Sequence, residues 1–211
     1  MSNAIFVSEC DRAILRLLEM TPSTATQIRK ASVTFPDEPF RDERQVRERL
    51  QALSQCNLVQ SFPHALIGGG LSQYYRLTSA GYREARPDET RQPLRAMVTA
   101  IAPSRIVHAM AVADIIVQVL VACHNTGVRV VQFHGDGRLA LTLGEYRQEP
   151  DCHFQFEFAG KLFNVLFEID NSTEPLESSR EQSIRSKLLG FDCLQPRMVT
   201  LSETQTAVQN V

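Results

Sequence analysis

The sequence of 211 residues lacks several features that would assign it to a class at once. No apolar run reaches the ~20 residues that a membrane-spanning helix needs, so we expect no membrane association. No basic-then-apolar signal region precedes the first helix, and we expect a cytoplasmic protein rather than a secreted one. No segment repeats at a fixed period, which argues against solenoids and coiled-coil arrays. The hydrophobic content of 43% is that of a globular chain.

Cysteine is sparse, and its five positions are widely spaced. The number is odd and no two cysteines form a CxxC pair, so neither a disulfide framework nor a structural zinc site is expected. The glycine-rich phosphate loop, the dinucleotide-binding GxGxxG and the GxSxG elbow are also missing. Nucleotide hydrolysis, dinucleotide redox chemistry and serine esterase chemistry therefore have no support.

Lysine is rare in this chain. It occurs only at Lys30, Lys161 and Lys187, and the other nineteen of the 22 basic residues are arginine. The formal net charge is −2, so the overall charge gives no nucleic-acid signal. In so arginine-rich a chain, a lysine near other chemically active residues is less easily explained as an accident.

The first third of the chain has the order helix, helix, helix, strand, glycine-rich turn, strand. The third helix is predicted over about 41–56, because its apolar residues recur at i, i+4 and i+7. The turn at Gly68–Gly70 lies between two segments that alternate as strands do, and the tip of the turn has no cationic residue at neutral pH. The segment Tyr75–Gly81 resembles the Y-x-L-T-x-x-G exit of a wing. This pattern predicts a winged helix-turn-helix domain over residues 1–86.

The polar face of the third helix is the predicted DNA-binding surface. The major groove of double-stranded DNA accepts one helix, and arginine is the usual partner of guanine and of phosphate. We therefore predict that Arg41, Arg44, Arg47 and Gln51 contact DNA. The alternative is a solvated face on which interleaved acidic residues form salt bridges with these arginines.

A change of pattern separates two halves of the chain. The segment Arg86–Pro93 is polar and flanked by prolines, which predicts a linker over residues 87–103. A second domain is predicted over 104–211 in the order αβββαβ, and its first helix, which begins after Ser104, is expected to be well buried. A helix opened by Glu174 should precede the last strand. The strands are predicted over 128–133, 151–158, 162–169 and 197–201, and the third of them should be central.

This order of elements resembles the metal-dependent PD-(D/E)xK nucleases. Pro150-Asp151 stands at the entry of the second strand, and Glu168-Ile169-Asp170 ends the third. Because only a hairpin separates these strands, Asp151 and Glu168 can meet at one edge of the sheet. Two carboxylates there are suitable ligands for Mg²⁺ or Mn²⁺, and such an ion could polarise a phosphate and activate a water.

The position of the nuclease lysine departs from that pattern. Asp170 stands where the lysine is expected, and an acidic side chain cannot stabilise the developing phosphorane electrostatically. Two alternatives follow. In the first, Lys187 on the following helix replaces the missing lysine, and Asp170 holds a second metal or orients a water. In the second, the site is degenerate. His153 is two residues after Asp151 and would share its strand face.

The two halves together resemble the replication-relaxation family over roughly residues 8–200. The resemblance depends on the winged helix, on the segment from Val107 to Asp114 with His108, on Pro150-Asp151, on Phe167–Asp170 and on Lys187–Phe191. It implies an α+β protein, with a winged helix-turn-helix followed by an α/β restriction-endonuclease-like domain. It also implies DNA binding in the replication or mobilisation of plasmids and mobile elements, with proteins of those processes as partners.

Three functions remain open from the sequence. The first is a double-stranded-DNA-binding protein whose second domain is a scaffold, and the second is a Mg²⁺-dependent DNA endonuclease using Asp151, Glu168 and Lys187. The third is a transcription regulator whose second domain senses a ligand or mediates dimerisation. Because winged helices usually bind palindromic sites as dimers, we expect a homodimer.

Overall fold

The computed structural model describes residues 7–66, 68–88, 92–143, 146–170 and 183–201. Over these residues the protein is mixed α/β, with helices and small antiparallel sheets. The chain divides into two compact units, Met1–Thr126 and Gly127–Val211.

The first unit begins with three helices and a three-stranded antiparallel sheet. The sheet order is β1-β3-β2, so the last strand in sequence is central. The predicted third helix and the hairpin around the glycine-rich turn are both present. The elements are α1 (Glu9–Met20), β1 (Ser23–Thr24), α2 (Ala25–Ala31), α3 (Glu43–Gln55), β2 (Val59–Ala65), β3 (Leu71–Leu77) and α4 (Ser79–Ala85).

Side-chain caps fix the starts of the first three helices. The Ser8 hydroxyl accepts the backbone N–H of Asp11 at 3.1 Å, and the Asp11 carboxylate accepts the N–H of Ser8 at 3.0 Å. Thr24 and Gln27 form the same reciprocal capping box at the start of α2. Asp42 caps α3 by accepting the N–H three residues further on. Each cap satisfies N–H groups that the first turn of a helix leaves without a partner.

The core of the first unit is formed where the apolar faces of these helices meet the sheet. The face of α3 predicted from its spacing is buried, with Val46 0%, Leu50 1% and Leu53 3% exposed. The other large contributors are Ile14, Leu15, Leu18, Ile28, Tyr75, Leu77 and Tyr82. The burial of one face of α3 leaves its other face at the surface of the unit.

Two further helices, α5 (Arg95–Val98) and α6 (Ile106–Thr126), complete the first unit. The sequence analysis placed α6 in a second domain beginning at residue 104, whereas the structure groups it with the N-terminal elements. Val117 belongs to the core of this unit. The Gln27 amide donates to the Asp114 carboxylate at 3.0 Å and to the carbonyl of Met110 at 3.2 Å, which fastens α6 to α2.

The expectation of a well-buried α6 was wrong. Its most apolar 18-residue window is 22% buried, and Val107 is 47% exposed. The helical segment Pro103–Thr126 is also long and apolar enough to span a membrane, judged by length and composition alone. This was not expected from the sequence. One such helix is weak evidence for a membrane protein, because core helices of soluble proteins satisfy the same criterion.

The described part of the predicted linker is bound to the sheet. The Tyr74 hydroxyl accepts the backbone N–H of Ile101 at 2.8 Å, and the Arg76 guanidinium donates to the carbonyl of Thr99 at 2.5 Å. The Gln60 amide donates to the carbonyl of Val98. Residues 98–101 therefore lie along the β2–β3 hairpin, and side-chain donors and acceptors of the strands fix their path.

The second unit contains a three-stranded antiparallel sheet, a short hairpin and a helix. The sheet order is β4-β7-β8, and β5 pairs with β6. Ala159 and Gly160 form the turn between β7 and β8, both with positive φ (49° and 73°), as a two-residue hairpin turn requires. The elements are β4 (Arg129–His134), β5 (Leu141–Leu143), β6 (Tyr146–Gln148), β7 (Cys152–Phe158), β8 (Lys161–Phe167) and α7 (Ile184–Leu201).

Three details of the predicted αβββαβ order were wrong. β8 is an edge strand of the described sheet and β7 is central, although β8 has the more apolar sequence. The hairpin β5–β6 was not predicted. Residues 197–201, predicted as a strand, continue α7, because a short apolar run does not by itself distinguish strand from helix. The predicted start of the preceding helix at Glu174 lies outside the described residues.

Candidate functional site

The exposed face of α3 carries the residues that the sequence analysis assigned to DNA. Arg41, at the end of the loop before the helix, is exposed, and so are Arg44, Arg47 and Gln51. Arg44, Arg47 and Gln51 are spaced at i, i+3 and i+7, which places them on one side of the helix. The structure therefore brings these three side chains to one side of α3, away from its buried face, and Arg41 is exposed just before the start of the helix.

Acidic residues on the same helix engage two of these arginines. The Arg44 Nε lies 2.9 Å from Glu48 Oε1, and the Arg47 Nη2 lies 2.5 Å from Glu43 Oε2. Both are i,i+4 pairs, and the Arg44 and Glu48 side chains are 85% and 60% exposed. Exposed pairs of this kind contribute little to stability, so the arginines can exchange these partners for another anion at small cost.

Arg49, on the same helix, has a different role. Its guanidinium donates to both carboxylate oxygens of Asp11 on α1, and Asp11 is buried. Burial alone would raise the pKa of Asp11, but the hydrogen bonds from Arg49 and from Ser8 outweigh burial and hold that pKa below its ordinary value. Arg49 therefore fixes the position of α3 against α1.

The exit of the β2–β3 hairpin explains the Y-x-L-T-x-x-G pattern. The Thr78 hydroxyl donates to the carbonyl of Asn57 at 2.6 Å and accepts the N–H of Gly81 at 3.0 Å, which caps α4. A Cβ on Gly81 would lie 1.9 Å from the carbonyl oxygen of Leu58. Threonine and glycine are thus required at these positions for α4 to pack against the chain that leaves α3.

The tip of the β2–β3 hairpin is apolar and exposed. Leu66 is 47% exposed and Leu71 is 79% exposed, and Gly68, Gly69 and Gly70 all have φ between 92° and 99°. No charged residue occurs from Ser61 to Tyr75 when histidine is neutral. The tip therefore supplies no cation for the DNA backbone, as the sequence indicated.

In the second unit, the register of the sheet places the two predicted carboxylates at the same end of two neighbouring strands. Cys152 pairs with Phe167, so Asp151 directly precedes β7 where Glu168 directly follows β8. Within the strands, His153 and Asn164 share one face of the sheet. The Asp151 carboxylate accepts the backbone N–H of Ile169 at 2.7 Å, which fixes the chain that leaves β8.

Lys187 reaches this end of the sheet from α7. Its ammonium group forms an ion pair with the Glu168 carboxylate, and the Lys187 and Glu168 side chains are 24% and 26% exposed. Asp170 lies two residues beyond Glu168 and is exposed. Ser183 caps α7 by accepting the N–H of Ser186 at 3.2 Å, so a helix start precedes Lys187 by one turn.

A chain of polar side chains on the same sheet face was only partly predicted. The His153 Nε2 lies 3.0 Å from the Asn164 Oδ1, which also accepts the Gln155 amide at 3.1 Å. Since that oxygen only accepts, the neutral His153 ring carries its proton on Nε2. Its Nδ1 then accepts the Nδ1–H of His134 at 3.1 Å. Burial lowers the pKa of His153, which favours this uncharged arrangement.

The sequence analysis named His153 for its strand face but missed His134 and Asn164. His134 and His153 are paired residues on neighbouring strands. No hairpin links β4 to β7, and the predicted first strand ended at residue 133, so the sequence analysis gave no sign that the two histidines are adjacent.

Two carboxylates at the end of the sheet are the groups there that could hold a divalent ion. Asp151 and Glu168 have carboxylate oxygens, and Mg²⁺ is commonly held by one or two protein carboxylates with waters completing its shell. Among the described residues there is no group of three or more His, Cys, Asp or Glu side chains placed to hold a metal.

The comparisons with known proteins give one match. A family model described as replication-relaxation matches residues 15–188, which covers most of the chain and includes both units. No curated protein and no solved structure matches the chain.

Proposed function

The chain belongs to the replication-relaxation family, and we propose that it binds double-stranded DNA through α3 of an N-terminal winged helix-turn-helix. Family membership suggests a role in the replication or mobilisation of plasmids or other mobile elements. The observation that carries the DNA-binding proposal is the exposed face of α3, where Arg44, Arg47 and Gln51 lie away from a fully buried apolar face, with Arg41 exposed just before the helix.

The surrounding elements support this proposal. The order α1-β1-α2-α3-β2-β3 with sheet order β1-β3-β2 is the arrangement expected of a winged helix. In such domains the exposed helix enters the major groove, where arginine contacts guanine or phosphate and glutamine contacts adenine. The ion pair of Arg49 with Asp11 holds α3 against α1, so the helix is presented in a fixed position. The proposal includes a homodimer that places two such helices on a palindromic DNA site. Sedimentation equilibrium would measure this oligomeric state.

The test is the binding of a fluorescein-labelled 30-base-pair duplex of random sequence, followed by anisotropy from about 50 to 200 mM salt. The variant Arg44→Ala/Arg47→Ala should weaken binding at least about tenfold and reduce the slope of log K against log salt by about 2. The control is Arg16→Ala/Arg83→Ala, which removes two exposed arginines from α1 and α4. Equal loss in the two double variants would contradict the assignment to α3.

The geometry of the second unit favours a second candidate, a metal-dependent DNA nuclease. The observation that favours it is the approach of Lys187 to Glu168, since the nuclease interpretation requires a lysine that reaches the carboxylates from α7. Asp151 and Glu168 would hold Mg²⁺ or Mn²⁺, which polarises a phosphate and lowers the pKa of a bound water. Lys187 would orient Glu168 and stabilise the phosphorane, and Asp170 would hold a second metal or orient a water.

Nicking of supercoiled plasmid with Mg²⁺ or Mn²⁺ tests this candidate. Nicking that disappears in both Glu168→Gln and Lys187→Met, and persists in Lys161→Met, would support the nuclease. Lys161 is the matched control because it lies at the opposite end of β8 from Glu168. Plasmid that stays intact with the wild-type protein under all these conditions would instead favour a DNA-binding protein whose second unit is not catalytic.

A further inference from the structure

The arginine-bearing face of α3 carries its own counter-charges. Arg47 pairs with Glu43 and Arg44 pairs with Glu48, each one turn apart on the same helix. Asp42 adds a third acidic group at the N-cap. Among the residues that the structure describes, Arg41 has no carboxylate partner. A face intended only to attract phosphate would not be expected to carry these acids.

Resting on the proposed function, we infer that Glu43 and Glu48 are specificity-determining residues of the DNA-binding face. In the free protein they hold Arg47 and Arg44 and so lower the affinity for DNA of arbitrary sequence. Phosphate contacts with arbitrary DNA must compete with these carboxylates. A DNA site of matching sequence provides further contacts, because guanine edges can accept hydrogen bonds from the arginines while the amino groups of cytosine can donate to the released carboxylates.

The two pairs should not contribute equally. The Thr26 hydroxyl on α2 donates to Glu43 Oε1 at 2.6 Å, which leaves the other oxygen of that carboxylate for Arg47. The Glu43 side chain is 34% exposed, whereas that of Glu48 is 60% exposed. A carboxylate fixed by a second helix loses less side-chain freedom when it binds an arginine. Glu43 is therefore the stronger restraint.

The magnitude follows from the strength of the two pairs. An exposed i,i+4 ion pair shifts an equilibrium by about twofold, and the wild-type arginines must break these pairs before they contact phosphate. The variant Glu43→Gln/Glu48→Gln should therefore bind a random 30-base-pair duplex about fourfold more tightly than the wild type does. Glu43→Gln alone should have a larger effect than Glu48→Gln alone.

The experiment compares two probes and two double variants. The probes are the random-sequence duplex pool and the duplex that the wild-type protein enriches from that pool. The matched control is Glu9→Gln/Glu149→Gln, because each of these glutamates forms an exposed pair with an arginine outside α3. Circular dichroism melting of each variant verifies that the fold is retained.

The expected result is a higher affinity of Glu43→Gln/Glu48→Gln for the random pool, with a smaller preference for the enriched duplex and no such change in the control. An equal rise in both double variants would show a general charge effect and overturn the inference. An unchanged affinity for the random pool, with wild-type protein that does bind, would also overturn it. Wild-type protein that neither binds the random pool nor enriches any duplex from it would instead refute the proposed function itself.

Discussion

Two effects on stability oppose each other when Gly81 is replaced by alanine: the gain in helix propensity and the steric clash of the new Cβ. Gly81 is the third residue of α4, and in an exposed helix a change from glycine to alanine stabilises by about 1 kcal/mol. Here the new Cβ would lie 1.9 Å from the backbone oxygen of Leu58, and a backbone atom cannot rotate away as a side chain can. The chain between α3 and β2 must therefore shift, or α4 must move outward.

Overpacking of this kind typically costs 1–3 kcal/mol and occasionally more. Because the atoms that the new Cβ would contact are backbone atoms of Leu58, we expect a cost at the upper end of this range. After the gain in helix propensity is subtracted, the net destabilisation is about 2 kcal/mol. For a chain of this length that corresponds to a decrease of about 4–8 °C in the melting temperature. Thermal unfolding followed by circular dichroism and by calorimetry measures it.

Ser79→Ala is the matched control, because Ser79 is exposed on the same helix. Its melting temperature should stay close to that of the wild type, since surface substitutions usually remain within about 0.5 kcal/mol. A Gly81→Ala protein that melts at or above the wild-type temperature would refute the packing of α4 against Leu58.

Three other predictions concern stability and reactivity. Arg49→Met should lower the free energy of unfolding by about 2–3 kcal/mol at pH 7, because it leaves the buried Asp11 carboxylate without its cation. The pKa of Asp11 in the folded protein lies below the unfolded value of about 4, so this stabilisation is present above about pH 4 and is lost as the pH falls. Denaturant curves of the wild type and the variant should therefore converge in acid, and a difference that stays constant with pH would contradict the ion pair. Ala159→Gly should raise the free energy of unfolding by about 1 kcal/mol, because Ala159 has φ +49°, and a loss of stability on urea denaturation would be evidence against that turn. Burial raises the pKa of the Cys152 thiol to about 12, so mass spectrometry should show no alkylation by iodoacetamide at pH 8 until the protein unfolds.

Local signals in the sequence predicted α3 and the hairpin that follows it. The apolar spacing of α3 and the glycine-rich turn each act over a few residues, and each is found in the structure. The sequence could not show that Arg49 differs from its neighbour Arg47. That difference depends on Asp11, 38 residues earlier, and only the packing of α1 against α3 brings the two together.

The second unit was less predictable because its order depends on pairing between distant segments. Hydrophobic content suggested that β8 is central, yet β7 has partners on both sides, and hydrophobicity does not determine strand order. The placement of Asp151 and Glu168 at the same end of the sheet was predictable because a hairpin fixes the register of the two strands. The approach of Lys187 followed only from the family resemblance, since no local pattern relates it to Glu168. For α6, apolar composition suggested burial, but composition does not show which surfaces a helix contacts.

The most direct test of the central claim is to observe where double-stranded DNA contacts the protein. Amide ¹H–¹⁵N spectra of the full chain, recorded while an enriched 30-base-pair duplex is added, would report this residue by residue. If α3 binds the duplex, the largest changes should fall on Arg41–Gln51, with the Arg49 and Asp11 contact retained. Changes confined to the second unit, or no changes when DNA is in excess, would contradict it.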